Sequence, residues 1–189
     1  MRILLSEARA CRVCAKHLPH EPRPVVRASR TARLLIVGQA PGRRVHETGL
    51  PWNDPSGDVL RGWLGMDRDA FYDVSRIAIV PVGLCYPGTV GGADLPPRRE
   101  CAPLWQPRFR EALSNIRLTL LVGSYAQAFY LKDSRKKTLG ETVRAFEEYL
   151  PEFFVLPHPS WRTIGWQKKN PWFAKEVLPA LRRRLRAFS

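Results

Sequence analysis

Four short apolar runs constrain the fold of this chain more than any other feature: Leu34 to Val37 (LLIV), Ile77 to Val82 (IAIVPV), RLTLLVG at 117–123 and FFVLP at 153–157. Each is short and apolar at consecutive positions, and so predicts a strand buried on both faces, as in a parallel sheet covered by helices. The segments between them carry helical signals, at about Asp58 to Leu64, from Pro96 and Pro97 towards Ile116, in SYAQAFYL at 124–131, and around Glu141 to Tyr149. This alternation predicts an α/β fold, a three-layer α/β/α domain around a central, mostly parallel four-stranded sheet with right-handed crossovers. Ligands bind such sheets beyond the carboxyl ends of the strands. GQAPG, CYPG, GSYA and HPSWR follow the four runs in turn, so four loops are expected to converge on one sheet edge.

A chain of 189 residues suits a single domain. Within it we expect an N-terminal segment at 11–32, an α/β core at 33–170 and a C-terminal basic helix at 171–189. Phe173, Val177, Leu181 and Leu185 recur at four-residue spacing and mark that helix's apolar face, while Arg182, Arg183, Arg184 and Arg186 read as a solvated charged face.

The 31 Lys and Arg residues outnumber the 17 Asp and Glu, for a net charge of +14. Such a field draws polyanions, and nucleic acid is the leading partner. The apolar run at the N-terminus is too short for a signal-peptide core, and no 18-residue apolar stretch exists, so no membrane partner is expected and a cytoplasmic monomer is. In a reducing compartment Cys11, Cys14, Cys85 and Cys101 read as metal ligands or as packing residues rather than as disulfides.

The stretch 38–52, GQAPGRRVHETGLPW, has neither the Gly-x-Gly-x-x-Gly spacing of a dinucleotide turn nor the Gly-Lys-Ser/Thr ending of a phosphate loop. Pro41 stiffens the turn, Gly38 and Gly42 permit close backbone approach, and Trp52 offers an aromatic face, a pattern suited to a flat ligand. After the fourth run, Pro159 fixes the turn behind His158, which can hold an imidazole at the same edge. The plainer readings are a core Trp and a structural His.

Taken together, GQAPG…TGLPW and HPS resemble the uracil-DNA glycosylase superfamily. The spacing from Gly38 to Trp52 matches the family-4 pattern GEAPGEEEDKTGRPF without a gap, and the four cysteines are similar to the ligands of a [4Fe-4S] cluster in family-4 enzymes. The resemblance runs from about Cys11 through HPSWR. It implies a repair glycosylase that flips a deaminated base out of DNA and hydrolyses its N-glycosidic bond, with the cluster in a structural role; zinc or plain packing are the other uses of the thiols.

By the resemblance, Trp52 takes the place of a Phe that stacks on uracil, and His158 sits at the second motif as donor to the leaving base. Gln39 stands where family-4 enzymes carry Glu, and Ala40 stands where family-1 enzymes carry the water-activating Asp; both are expected beside the base and sugar. Val45 and His46 replace two acidic residues, so His46, Glu47 or Asp54 is expected to position water, the alternative for His46 being a solvent-facing loop residue. Pro81 replaces the family Asn that reads uracil, which leaves Asn53 or the main chain near Val82 and Gly83 to recognise the base, and hypoxanthine or xanthine as further substrates. Ser160, Trp161, Arg162, Lys168 and Lys169 form a candidate DNA-contacting loop with Trp161 as wedge; alternatively Trp161 and Trp166 cap the core. Two rival readings are a catalytically weak or inactive DNA-binding damage sensor that keeps the fold, and a zinc-stabilised nucleotide-binding module.

Overall fold

The computed structural model describes residues 1–186. The part of the expected C-terminal helix at 187–189 lies outside the described residues.

The strands are β1 (Leu34–Val37), β2 (Ile77–Ile79), β3 (Thr89–Val90), β4 (Ala93–Asp94), β5 (Leu118–Val122) and β6 (Phe153–Leu156). The helices are α1 (Arg2–Arg9), α2 (Arg43–Thr48), α3 (Pro55–Leu64), α4 (Arg68–Tyr72), α5 (Cys101–Ala112), α6 (Ser124–Leu131), α7 (Leu139–Arg144), α8 (Arg162–Lys169) and α9 (Leu178–Arg186), the last preceded by a π-helical turn, Phe173–Val177.

Four strands form one sheet in the order β2-β1-β5-β6, and every pairing in it is parallel. Every residue of β1, β2 and β5, and all of β6 but Phe153, is buried. With both sheet faces apolar, helices must cover both, which gives three α/β/α layers. The order reverses at β1, whose neighbours β2 and β5 lie on opposite sides, so a crevice opens at its carboxyl end.

Ladder-type bonding continues past β2, Val80 N–H donating to Ile36 and Val82 N–H to Gly38, but Pro81 has no N–H to donate and regular strand ends at Ile79. The edge of β2 is covered by the N-terminal segment: Arg27 and Ile79 exchange two backbone bonds and Val25 N–H donates to Leu84. A polar edge closed in this way does not recruit another strand.

Helix ends follow local chemistry. Asp54 caps α3 by accepting from Gly57 N–H at 2.8 Å, Pro55 starts it, and Gly65 ends it at φ +67°. Thr138 and Glu141 form a capping box on α7. The helix expected from Pro96 to Ile116 is confined to α5, and the one expected around 141–149 splits into α7 and a 3-10 turn, Phe146–Tyr149.

The C-terminal apolar face is confirmed, with Phe173, Val177, Leu181 and Leu185 buried and Trp63 meeting Phe173 edge-on at 5.0 Å. Arg182 departs from the expected solvated face. It donates from Nε to the Trp63 carbonyl at 3.1 Å and from a guanidinium nitrogen to Gly62 at 2.9 Å, satisfying carbonyls that the end of α3 leaves open. No helix among the described residues is long and apolar enough to cross a membrane.

Candidate active site

The loop leaving β1 forms the floor of a pocket lined by Gly38, Gln39, Ala40, Pro41, Gly42, Trp52, Asp54, Pro81, Asp94 and His158. Its cavity of about 90 Å³ exceeds several times the ~10–15 Å³ one water requires.

Trp52 is the most constrained of these residues. Its φ of +58° lies in the left-handed region, rare for a bulky side chain. Its ring stands directly on Gly38, where a Cβ would come within 2.7 Å of it. Its carbonyl accepts from Arg61 at 3.2 Å and packs so closely on Gly57 that a Cβ there would lie 1.8 Å away. Tyr72 donates its hydroxyl to the preceding carbonyl, that of Pro51, at 2.8 Å. Arg61 is buried, paired with Asp58, and stacked against Phe71 and Tyr72. Arg61 and Tyr72 therefore clamp the backbone that presents Trp52, and neither is marked in the sequence, because an Arg inside a helix gives no sign of facing inward.

His158 meets Trp52 at a ring-centroid distance of 5.7 Å and leans on Gly123, whose φ of +89° lets the β5 loop pass within contact distance. Its carbonyl accepts from Ser160 N–H at 2.9 Å and from the Thr163 hydroxyl, which fixes the HPS turn. Burial lowers its pKa below the ordinary 6.5, opposed by the carboxylates of Asp54 and Asp94, so near neutrality the ring is uncharged.

The structure brings Gln39, Ala40, Trp52 and His158 together as expected and turns two expected residues away. His46 lies on α2, and the pocket receives Val45 instead. His46 packs among His20 at 5.4 Å and Tyr86 at 5.8 Å, with a buried Nδ1 that has no hydrogen-bond partner, and burial together with His20 and Arg23 lowers its pKa. Asn53 points to Arg68, accepting its guanidinium bond at 3.0 Å, and does not line the pocket. The main chain near Val82 and Gly83 is also committed: these N–H groups donate to Gly38 and Gln39, and the Pro81 carbonyl accepts from buried Gln106 at 2.8 Å. The Gln39 side-chain amide makes no such bond among the described residues and is one of the polar groups that line the pocket.

Beyond HPS, the segment expected as a loop folds as α8. Trp161 at its start is 75% exposed with Arg162 stacked over it at 5.1 Å, and Ile164 is exposed one turn on. Lys168 and Lys169 occupy its last turn. Trp166 instead packs against Trp172 and Phe173, so of the two tryptophans only Trp166 joins the core.

Cys11, Cys14, Cys85 and Cys101 line a second small pocket, and all four are free thiols. Leu84 N–H donates to Cys101 Sγ at 3.2 Å. Burial pushes the Cys85 and Cys101 thiols up to about 12, with neighbouring sulfurs adding to it. Among the described residues, no group of three or more His, Cys, Asp or Glu side chains is gathered around a metal-ion position.

Two carboxylates reach the pocket. Asp54 is expected there from sequence; Asp94 is not. It ends the hairpin β3-β4, whose turn residues Gly91 and Gly92 both have positive φ, +58° and +76°. Gly-Gly between short extended runs is a hairpin signal, which predicts the hairpin but not where its end lands. The family model described as the uracil DNA glycosylase superfamily matches residues 26–182.

Proposed function

Because the chain belongs to the uracil DNA glycosylase superfamily, we propose that it is a monofunctional DNA glycosylase, hydrolysing the N-glycosidic bond of uracil or a related deaminated base and leaving an abasic site. The observation that carries this reading is the pocket at the carboxyl edge of the sheet, where Trp52, Gln39 and His158 face one cavity.

A base inside a duplex must be extruded to react, at a cost of a few kcal/mol. Trp161, exposed at the head of a basic helix, suits insertion into the gap, and Arg162, Lys168 and Lys169 suit phosphate contact. The extruded base stacks on Trp52. The Gln39 amide, with one acceptor and two donors, pairs with the lactam edge that uracil, hypoxanthine and xanthine share. Neutral His158 donates to the base carbonyl as negative charge develops there, and Ala40 adds backbone contact beside the sugar. Among the described residues no Lys lines the pocket, and the proposal includes no Schiff-base lyase step.

We infer that the four thiols would hold a [4Fe-4S] cluster, a reading supported by where they lie in the fold and by their chemistry. They share one pocket from distant parts of the chain, carry no disulfide, and include a sulfur already accepting a backbone N–H. Cys11, Cys14, Cys85 and Cys101 would hold the group and so tie the N-terminal segment to the Cys85 to Cys101 loop; its cationic core would keep these thiolates deprotonated.

The turning away of His46 and Asn53 favours a second reading, a damage-binding protein without turnover. The test is incubation with oligonucleotides carrying one uracil, hypoxanthine or xanthine, single- and double-stranded, followed by alkaline cleavage. We expect strand cleavage for at least one base, abolished by His158→Ala. Product no greater than that of His158→Ala for every base supports the sensor instead.

A further inference from the structure

We propose that Asp94 is the carboxylate that holds and deprotonates the attacking water, a role that rests on the glycosylase reading of the pocket. The loop of β1 offers Gln39 and Ala40 and no acid. The hairpin β3-β4, more than forty residues downstream, delivers Asp94 across that loop, and its Oδ2 lies 3.3 Å from where a Cβ at Gly42 would stand. Gly42 is what leaves this oxygen open to the cavity.

The other oxygen is anchored. Thr89 donates its hydroxyl to Asp94 Oδ1 at 2.9 Å, so its one proton is spent there, and the Tyr86 hydroxyl, hydrogen-bonded to Thr89 and part of a fully buried side chain, must be the donor in that pair. A chain Tyr86 to Thr89 to Asp94 thus aims the carboxylate from a rigid base. Asp54, the other acid in the cavity, has its Oδ1 engaged in capping α3 and is tied to holding that helix. Both acids face His158 closely enough to raise its pKa against burial.

Position separates the roles. Asp94 is exposed, whereas Trp52 and His158 are half-buried; in the proposed pose the base lies against Trp52 and His158 and its sugar beside Asp94. An acid fixed at the mouth of a DNA-binding pocket repels phosphate, which a role in positioning DNA does not explain and a role in chemistry does. In the step, a water proton passes to Asp94 Oδ2 and the water oxygen bonds to C1′. The glycosidic electron pair leaves on the base nitrogen, which then takes a proton from solvent as Asp94 returns its own.

The experiment measures single-turnover excision and DNA affinity for the full-length protein and Asp94→Asn, Thr89→Val and Asp69→Asn, the last removing an exposed acid of α4 as a charge control. Asp94→Asn keeps the Thr89 acceptor and should lower the excision rate by roughly 10²- to 10⁴-fold, the range of general base catalysis, while DNA affinity is unchanged or tighter. Thr89→Val should fall between it and the unsubstituted protein, with Asp69→Asn at the full rate. Excision by Asp94→Asn at the full rate overturns this role and leaves the glycosylase reading standing, as does a parallel loss of affinity and rate. No excision by the unsubstituted protein overturns both.

Discussion

Trp52 occupies a backbone conformation that costs a bulky side chain of order 1–3 kcal/mol. That strain persists because Arg61, Tyr72 and the bare Cα atoms of Gly38 and Gly57 leave its segment one way to lie. A ring held so firmly is preorganised, so the base proposed to stack on it would meet no entropic penalty for ordering it. His158 and His46 carry a pH consequence at the same scale. Both are held below the ordinary 6.5 chiefly by burial, whereas in the unfolded chain they protonate near that value. The unfolded chain then binds more protons as the solution is acidified, and stability falls as pH drops through about 6.5. Denaturant midpoints should decline from pH 7.5 towards pH 5, and the double variant His46→Gln, His158→Gln should flatten the decline; midpoints equal across that range in the unsubstituted protein contradict it. Of the residues in the pocket, Gly38, Pro41, Trp52 and His158 were legible in the sequence because glycine and proline impose their geometry locally. His46 was not, because a helix turns about 100° per residue, and α2 brings Val45 to the pocket and carries its neighbour towards His20 and Tyr86.

Among the elements, α3 serves stability and α8 carries the proposed DNA contact. Helix α3 holds Trp52 at its start through Arg61 and is fastened at its end by Arg182 of α9. Helix α8 shows the opposite balance: its head exposes Trp161 and Ile164, and its later residue Trp166 anchors it on Trp172 and Phe173. Trp161→Ala should therefore leave the unfolding free energy within about 0.5 kcal/mol, as for exposed sites generally, yet weaken binding to uracil-containing DNA by roughly tenfold, the lower end of what one stacked aromatic contributes. Arg182→Ala should reverse the pattern, losing about 1 kcal/mol of stability for carbonyls left unsatisfied, with DNA affinity changed far less. Thermal denaturation and fluorescence anisotropy on the two variants check both. From sequence α8 reads as a loop because its aromatic and basic residues follow a proline turn without a clean apolar stripe. Its helical state is decided by the Thr163 hydroxyl seated on His158 and by the packing of Trp166.

At the scale of the whole molecule, a parallel sheet gathers residues far apart in the chain at one edge, and the chain as a whole carries a net charge of +14, a field that draws polyanions. The cysteine pocket performs a comparable gathering, joining Cys11 and Cys14 to Cys85 and Cys101. With the proposed cluster in place, anaerobically purified protein should show broad visible absorption and contain iron and sulfide. Cys85→Ser and Cys101→Ser should lose the colour and lower the melting temperature by several degrees, as a loss of 1–2 kcal/mol does in a domain of this size. A colourless protein holding one zinc overturns the cluster.

The runs of apolar residues by themselves determined the parallel sheet, because a strand apolar on both faces has no other stable surroundings. They likewise determined which loops stand at its carboxyl edge. Tertiary structure alone decided which side chains enter the cavity those loops enclose. Entry depends on helix rotation, on where a hairpin lands and on which polar groups are already paired, and these are relations between residues tens of positions apart. That is why Asp94 arrived unannounced while Asn53, His46 and the main chain beside Val82 turned to other partners.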